Sequence, residues 1–142
     1  MTEIDDIVGD FELFADWDER YQYLIELGEH LAPMPDAMKT EDNRVKACMS
    51  KVWVSGFPDS RNPALIRYHG DCDTSIIKGV VALLVDLFSG RSAEAIAKLD
   101  VDTLFERIQL AEHLSPNRHV GVYAIERLMK QQAGALNTSA SG

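Results

Sequence analysis

Hydrophobic positions along this chain change period twice, from helical to alternating and back to helical. Ile4, Ile7, Val8, Phe11 and Phe14 recur at helical spacing and predict a first short helix over 3–14. Asp16 stands where a cap would open a second helix, with Glu19 three residues later in the manner of a capping box. Trp17, Tyr21, Leu24, Ile25, Gly28 and Leu31 share one face of that helix, and an aromatic stripe at this spacing reads as core rather than as a recognition surface. Pro33 and Pro35 stop the helix, because proline lacks the amide hydrogen and clashes with the preceding turn. A loop over 33–40 follows, and Thr40-Glu41-Asp42-Asn43 reads as a cap opening a single helical turn.

The pattern then becomes that of strands. Val52, Trp53, Val54 and Phe57 favour a pleated, half-buried surface and predict a strand over 51–57. Pro58 to Pro63 is rich in turn formers, and 64–69 reads as a second strand, so 51–69 is an antiparallel hairpin with a long loop. Arg44 to Lys46 adds a short edge strand. Asp71 or Asp73 begins the clearest helix, whose Ile76, Ile77, Val80, Val81, Leu84, Leu87 and Phe88 make a wide apolar face for the centre of a core. Gly79 inside it costs roughly 1 kcal/mol against alanine, which points to close backbone packing against the sheet. Gly90 ends the helix as a residue suited to left-handed backbone, Ser92 caps a helix over 93–98, and Asp100 caps another over 101–107. Ser115-Pro116 opens a last helix running to about Ala133. The small, polar end of the chain reads as disordered, giving one domain over 1–134 and a tail over 135–142. The predicted class is α+β: a small antiparallel sheet, hairpin 51–57/64–69, packed against several α-helices.

Composition narrows the functional classes. With 46% hydrophobic and 26% charged residues in a chain of 142, the sequence is that of an ordinary globular domain large enough for a core without disulfides or metal. A net charge of −9 argues against nucleic acid and against anionic membranes as partners. The longest apolar run, Val80 to Val85, is far short of a bilayer span, and Met1-Thr2-Glu3-Ile4-Asp5-Asp6 is not the start of a secretory signal. A cytoplasmic setting is expected, with both cysteines as thiols.

Candidate chemistry centres on Cys48, just before the first strand and on a loop tip. Only the thiolate is nucleophilic, and Arg44, Lys46 and Lys51 lie within four residues of it, where cations favour the charged form. A small buried hydrophobe is the alternative reading of a free cysteine. A Cys-His hydrolase needs a base beside the thiol, and none of His30, His69, His113 or His119 carries such a signature. Cys48 with the His69-Gly70-Asp71-Cys72-Asp73 run is weak as a metal site, since zinc and cluster scaffolds use more cysteines at tighter spacing; Asp71 and Asp73 read better as a helix cap and a solvated turn.

The run Asn43-Arg44-Val45-Lys46-Ala47-Cys48-Met49-Ser50-Lys51-Val52-Trp53 resembles the sulfur-acceptor segment of the SufE family, which includes the CsdE proteins. Three further blocks agree in order: 21–28 (Tyr-Gln-Tyr-Leu-Ile-Glu-Leu-Gly), 70–79 (Gly-Asp-Cys-Asp-Thr-Ser-Ile-Ile-Lys-Gly) and 113–121 (His-Leu-Ser-Pro-Asn-Arg-His-Val-Gly). The likeness spans residues 11 to 133; Ala47 stands where the family usually has glycine and Met49 where it often has glutamine. The resemblance implies a SufE/IscU-like fold and a persulfide-forming Cys48 that takes sulfur from a pyridoxal-phosphate cysteine desulfurase of SufS or CsdA type, stimulates it, and passes the sulfur to an iron–sulfur scaffold of SufBCD type. It also implies a sulfurtransferase-like accessory with no cofactor or metal of its own, for which a weak homodimer is allowed. Arg44, Lys46, Lys51, Asp73 and Arg118 are expected to support the cysteine or bind the partner, with Arg118 otherwise a solvated helix-start arginine. The cysteine is expected in an apolar pocket at rest, which Ala47 and Met49 suit. Cys72, often serine in the family, is either a packing residue or a thiol that the hairpin brings to Cys48 to form a disulfide or resolve a persulfide. The alternative function is a docking regulator of a desulfurase that carries no sulfur.

Overall fold

The structure of the chain, a computed structural model, describes residues 2–48 and 50–141. The two N-terminal helices form where the apolar periodicity places them, α1 over Ile4–Glu12 and α2 over Trp17–Glu29. The Asp16 carboxylate accepts from the Glu19 amide at 2.9 Å and caps α2 as expected, while the Glu19 carboxylate reaches back to the Ala15 amide at 3.1 Å. The loop after Pro33 holds a 3₁₀ turn at Asp36–Met38 that the sequence did not announce, and Thr40 to Asn43 is a turn rather than a helix start.

Strands β1 (Val52–Pro58) and β2 (Leu65–Cys72) form the hairpin, antiparallel, with Val52 opposite Cys72 and Pro58 opposite Ile66. β2 outlasts the predicted 64–69 because Asp71 and Cys72 still pair with Trp53 and Val52. Helix α3 (Ser75–Phe88) therefore starts after Thr74, and neither Asp71 nor Asp73 caps it. The predicted arm at Arg44 to Lys46 is a single antiparallel bridge, Arg44 to Trp53. A two-residue strand β3 (Arg91–Ser92) covers the start of β2 on its other edge, giving the order β1-β2-β3. Gly90, just past α3, has φ +83°, the left-handed backbone that its position called for.

Helices α4 (Ala93–Ala97) and α5 (Val101–Arg107) carry the expected caps, Ser92 Oγ on the Ala95 amide and Asp100 on the Thr103 amide. A second 3₁₀ turn at Ala111–His113 leads into α6, which spans Pro116–Ser141 rather than ending near Ala133. Ala133, Ala135 and Leu136 around Gly134 are strong helix formers, so nothing stops the helix there. Of the tail expected over 135–142, Gly142 lies outside the described residues.

One face of the sheet, carrying Val52, Val54, Ile66, Tyr68 and Cys72, is buried; Trp53, Ser55, Phe57, Arg67, His69 and Asp71 alternate with them on the other. The buried face meets α3, whose Ile77, Val80, Val81, Leu84, Leu87 and Phe88 are completely enclosed. α2 packs on the far side of α3. A Cβ on Gly79 would stand 2.1 Å from the Leu24 carbonyl oxygen, so this glycine brings two helix backbones together, not helix and sheet. α6 is tied to the hairpin by polar contacts. Tyr68 Oη donates to the Met129 carbonyl at 2.6 Å. The Gln132 amide accepts from the Gly56 amide at 3.0 Å and donates to the Val54 carbonyl at 2.7 Å. With its middle fixed to β1, the first turns of α6 lie against the loop that precedes that strand. Among the described residues no helix is long and apolar enough to cross a membrane.

Candidate functional site

The chain doubles back before β1. Val54 donates to the Asn43 carbonyl at 2.9 Å and Val45 to the Val52 carbonyl at 2.8 Å, so residues 43–54 make a second, tight hairpin. Its tip is 46–51, and Cys48 sits on it, its amide turning back to the Val45 carbonyl at 3.3 Å. The cysteine is on a loop tip as expected, yet its side chain is only 8% exposed because it turns inward. What receives it is Gly121 of α6: a Cβ there would approach Cys48 Sγ to 2.8 Å. The pocket is thus made by a missing side chain on α6. Ala47, expected to pack beside the thiol, is exposed, and Met49 lies outside the described residues.

The C-terminal side of the tip is fastened to the turn after β2. Ser50 Oγ and Thr74 Oγ1 are 2.6 Å apart, the Lys51 amide donates to the Asp73 carboxylate at 3.0 Å, and the Asp73 amide donates to the Lys51 carbonyl at 3.1 Å. Asp73 also accepts from Thr74 Oγ1 at 3.2 Å. It is therefore a clamp on the cysteine loop.

A cleft of about 240 Å³ reaches Cys48, lined by Ser50, Ser115, Asn117 and Arg118. Arg118 is the one predicted cation that lines it. Its amide donates to Ser115 Oγ at 3.5 Å at the start of α6, and among the described residues its guanidinium has no carboxylate partner. Arg44 and Lys46 line a different groove on the other side of the turn, with Arg44 4.0 Å from Glu41. The Lys51 side chain is exposed, and its contribution to the clamp is its backbone. None of the three cations that flank Cys48 in sequence thus lines its cleft.

The lead-in to α6 is held by residues read from sequence as core. Trp17 stacks on His113 with ring centroids 4.0 Å apart, Tyr21 Oη donates to the His113 carbonyl, and the Arg20 guanidinium lies 5.5 Å over Trp17. Only half-buried, these aromatics brace the turn that carries Ser115 and Arg118 to the cleft. Sequence reasoning gives Ser50, Thr74, Asn117 and Gly121 no role, and Ser115 only that of opening α6. The signals for Gly121 were its place at the end of the 113–121 block and a glycine within the first turns of a helix with no capping duty.

Both cysteines are free thiols. Cys72, buried at the end of β2, has its thiol pushed up to about 11, first by burial and then by the charges of Asp73, Cys48 and Asp71, against an amide hydrogen bond from Thr74 at 3.4 Å. The two thiols open on different clefts, Cys72 on one lined by Ile25, Glu29 and Lys78. Among the described residues no group of three or more His, Cys, Asp or Glu side chains is arranged to hold a metal ion.

Comparison with known proteins places the chain. An uncharacterised SufE-like protein of Rhizobium meliloti is 38% identical over 135 residues, covering 94% of this chain and 96% of its own. Another from Rhizobium etli is 36% identical over 137 residues, covering 94% and 90%. The solution structure of a hypothetical protein from Thermus thermophilus superposes with a TM-score of 0.77 at 20% identity, covering 95% of this chain and 96% of that one, so the fold is shared. The SufE family, described as an Fe-S metabolism associated domain, matches residues 5–133, and the chain belongs to that family.

Proposed function

We propose that the protein is a sulfur acceptor and carrier in iron–sulfur metabolism, working in the cytoplasm with a SufS- or CsdA-type cysteine desulfurase. The desulfurase, whose pyridoxal phosphate supplies the carbon–sulfur cleavage, holds the sulfur as a cysteine persulfide. The Cys48 thiolate attacks the outer sulfur of that persulfide. The sulfur–sulfur bond breaks, the donor's thiolate leaves, and Cys48 carries the persulfide with its proton; no electrons are gained or lost overall. A SufBCD-type scaffold then takes the sulfur by the same exchange.

The observation that carries this reading is the placement of Cys48 at the tip of a clamped hairpin, tucked against Gly121, with a cleft and a free cation at its mouth. Arg118 and the amide end of α6 supply positive charge where a thiolate forms and leaves. Burial shields a reactive sulfur between partners, and the clamps at Ser50 and Lys51 hold the strand side of the turn while the segment that carries Cys48 swings. Incubation with desulfurase and cysteine adds the mass of one or more sulfur atoms to the wild type. The Cys48→Ser variant folds, binds the desulfurase and takes up none; labelled sulfur on that variant overturns the assignment.

The burial of Cys48 also favours a second reading, a docking regulator that stimulates the desulfurase without carrying sulfur. Stimulation with no mass gain on the wild type selects it. Rapid alkylation of Cys48 in the isolated protein, unchanged by a desulfurase, removes the shielding step from the carrier mechanism.

A further inference from the structure

On the side of the cysteine turn away from the Cys48 cleft, a groove of about 520 Å³ runs between that turn and α6. Val45, Ala124 and Leu128 give it apolar lining, and Arg44, Lys46 and Arg127 bring cations to it. Among the described residues Asp42 is the only acidic one lining it. Among the described residues Lys46 and Arg127 have no carboxylate in ion-pair range, and the single partner of Arg44 is the exposed Glu41 at 4.0 Å, an arrangement worth little in water. The charge of this groove is therefore uncommitted.

The rest of the molecule gives that charge its meaning. Residues 1–38, which form α1 and α2, hold eleven acidic side chains and one cation, Arg20; from Lys39 onward there are twelve acidic and thirteen basic residues. The net charge of −9 is thus concentrated on the N-terminal helices, and the groove is a basic surface on an acidic protein. A partner with an acidic segment is repelled by α1 and α2 and steered to the groove. The groove and the Cys48 cleft share both walls. The turn supplies Lys46 to one and Cys48 to the other, and α6 supplies Arg118 to the cleft and Arg127 and Gln131 to the groove. From Arg118 to Gln131 the helix extends roughly 20 Å, enough to guide several residues of a bound segment.

We propose that this groove is the docking track for an acidic amphipathic segment of the sulfur donor, read by Arg44, Lys46 and Arg127, with the apolar residues of that segment on Ala124 and Leu128. The proposal rests on the sulfur-acceptor reading and names the surface by which that reading recruits its partner. A segment lying there leaves the donor's persulfide beside the cysteine turn.

The test compares wild type, Arg127→Glu and Arg127→Lys. Sulfur loading of Cys48 is followed by mass spectrometry, once with inorganic polysulfide alone and once with a SufS-type desulfurase and cysteine at low and high salt. The expected result is equal loading by polysulfide in all three, and a KM for desulfurase-driven loading that rises about tenfold in Arg127→Glu at low salt and stays near wild type in Arg127→Lys. Raising the salt brings the wild type toward the Glu variant. Wild-type KM in Arg127→Glu overturns the groove and leaves the acceptor reading standing. A wild type that polysulfide loads but the desulfurase neither binds nor loads overturns the acceptor reading, and the docking track with it. Arg127→Glu abolishing a concentration-dependent dimer, with KM unchanged, makes the occupant a second copy of the acidic α1–α2 face and overturns the proposal.

Discussion

At the scale of single residues, the site depends on a side chain that is absent. Gly121 leaves room for Cys48, and a Cβ there would meet Sγ at 2.8 Å and Cβ at 3.3 Å. One of the two must move, and the cysteine tip yields before a helix fixed to β1 through Gln132 and to β2 through Tyr68. Gly121→Ala is therefore expected to push Cys48 outward: its alkylation by iodoacetamide in the isolated protein becomes faster than wild type, at a stability loss of about 1–2 kcal/mol in urea unfolding. An unchanged alkylation rate means that the clash is absorbed in α6 and that Gly121 does not set the tuck. Cys48 itself was legible, because a lone thiol just ahead of a β-forming run has to fall on a loop. Gly121 as its partner was not, because that pairing is made by the tertiary packing of α6 on the turn and leaves no local pattern. The flanking cations were legible as residues and not as directions. On a tight turn successive side chains leave on different sides, so Arg44 and Lys46 enter one groove while Cys48 faces another.

At the scale of elements, hydrophobic period located α1, α2, α3 and the hairpin, since burial on one face imposes that period, while cap residues at Ser92, Asp100 and Ser115-Pro116 located α4, α5 and the start of α6. Boundaries failed where a polar residue serves a strand. Asp71 reads as a helix cap in isolation, but in the fold it continues the ladder opposite Trp53 and binds Lys39 at 2.8 Å. The two-residue β3 has too little sequence to carry a period. Gly79 shows the same limit: its cost to α3 was evident, while its contact, the backbone of α2, was not. A Cβ at 79 would lie 2.1 Å from Leu24 O and 2.6 Å from Leu24 C, atoms that no rotamer change can move. Gly79→Ala is expected to separate α2 from α3 and to cost about 3 kcal/mol, read as a lower urea midpoint with a lower melting temperature. A neutral or stabilised variant contradicts the close approach. Gln132→Ala tests the tie between α6 and β1. It leaves the Gly56 amide and the Val54 carbonyl without their side-chain partner, and about 1–3 kcal/mol of stability is lost.

For the molecule as a whole, half-buried Asp71 and buried Cys72 set opposite limits on the pH range in which the site stays assembled. On the acid side stands Asp71. Burial alone would raise its carboxyl, but the Lys39 hydrogen bond, the Cys72 amide and the Lys39 and Lys78 charges hold it below the ordinary carboxylate value. A depressed carboxyl contributes stability above its unfolded value, and that contribution is lost as pH falls through its folded value. On the alkaline side stands Cys72, which shares the turn that clamps the Cys48 loop. Its thiol rises from the ordinary 9 to about 11, mainly through burial. The protonated thiol is the form the fold accepts, so its contribution is complete below about pH 9. It is lost between 9 and 11, as the unfolded chain releases a proton that the folded one retains. Two pH units correspond to at most on the order of 2–3 kcal/mol, and solvent screening at the end of β2 lowers this to about 1–2 kcal/mol. Tyr68 is also raised by burial and adds loss in the same direction, so the wild-type curve alone does not isolate the cysteine. The difference between wild type and Cys72→Ser does. Urea unfolding of both at about pH 8 and about pH 10.5 is expected to show the stability gap shifting toward the serine variant as pH rises, because serine has no proton to lose in this range. Parallel pH profiles would mean that Cys72 ionises as readily folded as unfolded and that its burial beside Asp71 and Asp73 does not hold the proton.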